Sequence, residues 1–157
     1  MLNVMSSNPR GDNAPADDFG ADWVRVLAHR QREGQHVIEA VVERFRGAGV
    51  RPADVELHLR DGGDRLYAAA KSGDDRWADE FGGPRAVAVL AAEVSALMSH
   101  LVARAASVRS VCVEAMLDEF SAVTVAGAIG VARQKVYELA KPEVDEDYLA
   151  HSPWRTE

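Results

Sequence analysis

The sequence predicts a mainly α-helical chain with one small β-hairpin, an α+β fold. It reads as a helical N-terminal region, a long central helix, and two short C-terminal helices joined at a glycine. Three observations carry this. Apolar residues recur at three- and four-residue steps over residues 19–46, the mark of a helix with one buried face. Val55, Leu57 and Leu59 alternate with Glu56, His58 and Arg60, the period of a half-buried strand. From Pro84 to Gly127 the chain holds no glycine and no further proline, so nothing interrupts a long helix there.

The elements follow in order. Residues 1–18 are rich in Asn, Asp, Ser and Pro; with so little to bury, they are expected to form a disordered tail. They also lack the basic start and apolar core of a signal peptide. Over 19–46 the buried face is Trp23, Val24, Leu27, Ile38, Val41, Val42 and Phe45. Gly34 weakens its middle, giving either two short helices or one kinked helix. Gly47 and Gly49 are stop signals, and Pro52 follows. The hairpin occupies 54–71, with Asp61-Gly-Gly-Asp64 as its turn and Arg65–Lys71 as its return arm. The three alanines of that arm are poor strand formers. Residues 72–83 read as loop, with a helical turn near Trp77.

Pro84 suits the first turn of a helix. Beyond it, Val87, Leu90, Val94, Leu97, Leu101, Val108, Val111 and Ala115 form a seam with a mean step of about 3.5 residues. Arg104 takes one seam position that should be apolar. Such a seam must bury itself against another helix, either residues 19–46 of the same chain or a second copy; homodimerisation is the expectation. Ser107 is placed to cap a fresh helix over 108–120. Residues 19–106 are therefore expected to be a dimerisation or partner-binding region, and 107–141 a second unit.

Bulk properties bound the function. The 157 residues are 47% hydrophobic and 27% charged, an ordinary globular balance with enough apolar material for a real core. The single cysteine, Cys112, cannot form an internal disulfide. That fits a reducing cytoplasm, and its apolar surroundings predict a buried thiol. No unbroken apolar run approaches the ~18 residues of a membrane span, so no membrane association is expected. The five histidines lack the helical spacing of metal ligands, and no nucleophile–base pairing emerges. Neither an enzyme nor a cofactor or metal is expected. The formal net charge is −7, which opposes binding to nucleic acid by charge alone. Residues 122–141 depart from this, with Arg133, Lys135 and Lys141 against Glu138.

This positive segment has the pattern of two helices crossing at a tight turn. Ser121 can cap a helix over 122–129. Ala126 is small where the helices cross, Gly130 supplies the turn, and Val131 plugs the core behind it. Val136 and Leu139 of a second helix, about 133–140, then face Val125 and Ile129.

Ala126-Gly-Ala-Ile-Gly130-Val131-Ala132-Arg133-Gln134-Lys135-Val136-Tyr137 resembles the helix-turn-helix transcription regulators, whose common pattern is A-x-x-L-G-V-S-R-Q-x-V-Y. The resemblance covers about 20 residues, or about 34 with a preceding helix over 108–120. It implies that helix 133–140 is a recognition helix entering the major groove of double-stranded DNA. Arg133 is then matched to guanine and Gln134 to adenine. Tyr137 would reach a phosphate or a thymine methyl. Lys135 and Lys141, with Ser121 and Thr124 at the start of helix 122–129, would meet phosphates. Ala132 stands where these regulators usually carry a capping Ser or Thr.

The expected function is a dimeric, sequence-specific, DNA-binding transcriptional regulator. The rival expectation is a protein-interaction adaptor or antitoxin-like accessory regulator that uses the same two helices on a protein partner. The acidic tail, residues 142–157, reads as a solvated end or as a competitor of phosphate for the basic helix.

Overall fold

The structure, a computed structural model, describes residues 18–140. Lys141 and the two predicted tails lie outside them, apart from Asp18, which opens the first helix. Among the described residues seven α-helices run in order: α1 (Asp18–Val26), α2 (Gln35–Gly47), α3 (Pro52–Arg60), α4 (Asp64–Lys71), α5 (Pro84–Glu119), α6 (Ala122–Ile129) and α7 (Arg133–Leu139). Short 3-10 turns at Ala28–Arg30 and Asp79–Phe81 precede α2 and α5. Gly34 divides the first helical stretch and stands as the N-cap of α2.

No strand occurs among the described residues, and the expected hairpin is instead the helix pair α3 and α4. The local chemistry explains the correction. Pro52 opens α3, and the Asp54 carboxylate closes its first turn by accepting from the Arg51 amide at 3.0 Å. Val55, His58 and Leu59 are buried while Leu57 is exposed, a spacing of three and four rather than two. The Val55–Leu57–Leu59 alternation was a chance overlay on a helical period. Asp61-Gly-Gly-Asp64 is a turn, but between helices. Gly62 and Gly63 take φ of 65° and 84°, and the Asp61 carboxylate accepts from the amides of Gly63 and Arg65. The alanines that weakened the strand assignment are good helix formers.

Two cores result. The larger joins Trp23, Val26 and Leu27 of α1 and its following turn to Val41 and Phe45 of α2, Val55 and Leu59 of α3, and Leu90 and Leu97 of α5. Trp23 and Phe45 stack with ring centroids 5.5 Å apart. The smaller joins Val113 of α5 to Val125 and Ala126 of α6 and Val136 of α7.

Helix α5 belongs to both cores. Its 36 residues give a rod of about 54 Å. It runs unbroken through Ser107, which is buried within the helix and caps nothing. The innermost line of its first half is Ala86, Leu90, Glu93, Leu97 and His100, one step round from the predicted seam. Leu90 and Leu97 are shared by both lines. Val87, Val94 and Leu101 are half-buried flanks of the same core. Val108 and Val111, by contrast, are exposed. Cys112 is also exposed, against the expected burial, because the chain turns neither core toward it. By length and composition α5 is apolar enough to cross a membrane, although Glu93, His100 and Arg104 break it into short apolar runs. Its Leu90 and Leu97 nevertheless pack into the larger core beside a buried carboxylate.

That carboxylate is Glu93. It accepts from His29 Nε2 and from Arg30 Nε, each at 2.7 Å, and from Arg30 Nη2 at 3.0 Å. Burial alone would push the Glu93 carboxyl up. The His29 and Arg30 hydrogen bonds outweigh it and hold the group below its ordinary value of 4.5.

Candidate nucleic-acid interface

The C-terminal helix pair is set by its turn. Ser121 caps α6, its Oγ accepting from the Thr124 amide at 3.2 Å and lying 2.9 Å from the Thr124 hydroxyl. Satisfying that amide fixes where the helix starts. Gly130 ends α6 with φ 69° and ψ 36°, a left-handed conformation that costs a β-carbon residue about 1 kcal/mol or more. The Ala126 carbonyl accepts from the Val131 amide, the 6→1 bond of a Schellman ending, and also from the Gly130 amide, the 5→1 bond of the left-handed cap. Val131 is thereby swung onto the small core.

Helix α7 then starts at Ala132, whose side chain makes no cap. Its carbonyl still accepts from the Lys135 and Val136 amides. Val136 and Val125 are wholly buried, and Ile129 and Leu139 pack against them. The expected inward residues of the helix pair are thus brought together. Arg133, Gln134 and Lys135 are exposed, as is Tyr137 at 52%, all on the surface of α7. Ser121 and Thr124 are exposed at the start of α6.

Helical geometry ranks these outward groups. With Val136 pointing inward, Gln134 and Glu138 stand opposite it, Arg133 and Tyr137 flank one side, and Lys135 flanks the other. Glu138 was missed in the sequence because it counted only as an opposing charge, although its i+4 spacing from Gln134 marks the shared face. It pairs with Lys135 at 2.9 Å, so one of the three expected cations is partly neutralised. A carboxylate on such a face can accept from a cytosine amine.

Phe120 and Val123 are exposed beside the cap of α6, Val123 at 65%. Among the described residues no group of three His, Cys, Asp or Glu side chains could hold a metal ion. Comparison of the chain with protein-family models, with curated proteins and with solved structures returns no match.

Proposed function

We propose that the chain is a dimeric, sequence-specific DNA-binding regulator of transcription, with α7 as the helix that enters the major groove. The observation that carries the reading is the crossing of α6 and α7 at Gly130. It buries Val136 on Val125 and leaves Arg133, Gln134 and Tyr137 outward on one short helix. Arg133 and Gln134 supply the two donor geometries that read guanine and adenine edges. The Ser121 end of α6 offers unpaired amides to a phosphate.

Dimerisation falls to the second half of α5. Between the two cores it exposes Val108 and Val111, positions of the predicted seam that no described helix covers. Two copies paired there would offer two α7 helices to one duplex, reading half-sites about one helical turn apart.

The test is binding of the full chain to fragmented genomic DNA, followed by motif recovery. A short palindrome is expected. Arg133→Ala with Gln134→Ala should cost about 1–3 kcal/mol per lost base contact. Sequence-specific binding that survives this double change refutes α7 as the reader. The second reading, an adaptor that docks protein through the same helices, is favoured by exposed Phe120 and Val123. Loss of a protein partner on Val123→Asp, with no DNA bound at low salt, would establish it.

A further inference from the structure

A cleft of about 690 Å³ opens between α3, α4, the Asp79–Phe81 turn and α5. This lies within the range of small-molecule sites. Its apolar lining includes Leu57, Phe81 and Leu90, and its polar lining includes His58, Arg65 and Glu80. Arg51 and Asp54 also line it, but they satisfy each other through paired hydrogen bonds of 3.0 Å.

The other polar groups are not so occupied. Among the described residues Glu80 has no hydrogen-bond or ion-pair partner. Arg65 has only Asp61, at 3.8 Å, beyond hydrogen-bonding distance. His58 is 4% exposed, packs edge-on against Phe81 with centroids 5.4 Å apart, and leaves its Nδ1 buried without a partner. The His58 ring therefore serves as wall of the cleft, and the groups left open to a ligand are the charged ends of Glu80 and Arg65.

We propose that this cleft binds a small zwitterion with an apolar body, the class of the free α-amino acids with aliphatic or aromatic side chains. Glu80 receives the ammonium, Arg65 the carboxylate, and the Leu57–Phe81–Leu90 surface the apolar part. Charge selects both ends at once. A simple carboxylate leaves Glu80 unpaired and facing a like charge, and a simple amine leaves the same conflict with Arg65. None of the residues lining the cleft belongs to α6 or α7, so ligand binding here is independent of DNA binding.

The full chain, titrated with free phenylalanine and leucine by calorimetry and by amide NMR, tests this. Saturable binding is expected, with shifts centred on His58, Arg65 and Glu80. Two probes that each keep one charge, 3-phenylpropionate and phenethylamine, should bind at least about tenfold more weakly. Glu80→Gln should erase the preference over 3-phenylpropionate, and Arg65→Gln the preference over phenethylamine. Each should weaken phenylalanine about tenfold. Both side chains lie at the surface, and unchanged circular dichroism would certify the fold of each variant. No saturation at millimolar ligand, equal binding of the three aromatic probes, or indifference to both substitutions would overturn the proposal.

Discussion

Ala132 begins α7 without a side-chain cap, in the same extended conformation, φ −68° and ψ 148°, that Ser121 uses to cap α6. The backbone is therefore ready for a hydroxyl. Ala132→Ser is expected to stabilise the chain by about 1 kcal/mol, read as a higher midpoint in urea unfolding; an unchanged midpoint would show that α7 gains nothing from a cap. Glu93 makes the opposite case, a side chain whose role depends on its charge. Its folded pKa is lowered, so it contributes stability above its ordinary value of 4.5, lost as pH falls through the lowered folded value. Glu93→Gln should destabilise the protein by about 3 kcal/mol near neutrality, with the difference from the parent shrinking as pH falls from 4.5 through the lowered folded value. A gap that stays constant with pH would separate the effect from ionisation. Ala132 was legible from the sequence because a cap is a local feature. Glu93 was not, since its partners His29 and Arg30 lie more than sixty residues away.

At the scale of elements, legibility followed the strength of the local signal. Proline at the start and absence of breakers within made α5 readable, and Ser121 with Gly130 bounded α6 correctly. The failure at α3 and α4 has a physical cause. Nine and eight residues are too few for a helical period to outweigh an accidental alternation, and tertiary burial of Val55 and Leu59 against α5 decides the outcome. The seam of α5 was placed one step off because polar Glu93 and His100 occupy its innermost line, where only apolar residues were counted. That displacement leaves Val108 and Val111 exposed at 48% and 43%. Val108→Arg with Val111→Arg should convert the proposed dimer to monomer in analytical ultracentrifugation without loss of helix signal, as neither side chain serves a core of its own chain. A species of unchanged mass would remove this face from the dimer.

At the scale of the whole molecule, the described residues form two cores strung on one helix. Most of the C-terminal core was legible because it is built within some thirty consecutive residues, whereas the larger core gathers α1, α2, α3 and α5 from across the chain. The buried Glu93 has a consequence for this arrangement that concerns alignment rather than strength. An apolar line that repeats about every 3.5 residues can be slid by seven and still bury a comparable stripe, so hydrophobic contact alone leaves the longitudinal setting of α5 nearly degenerate. A single carboxylate that must meet His29 and Arg30 breaks the tie, as a buried polar residue does in a coiled coil. Replacing all three by apolar residues (His29→Leu, Arg30→Met and Glu93→Leu) is expected to restore much of the stability lost in Glu93→Gln. It should also yield doubled or broadened amide resonances along α5 from more than one seating; a single sharp set would show that packing suffices. The carboxylate is thus an index mark on a sliding scale, and it sets how far the Gly130 turn stands from the first core.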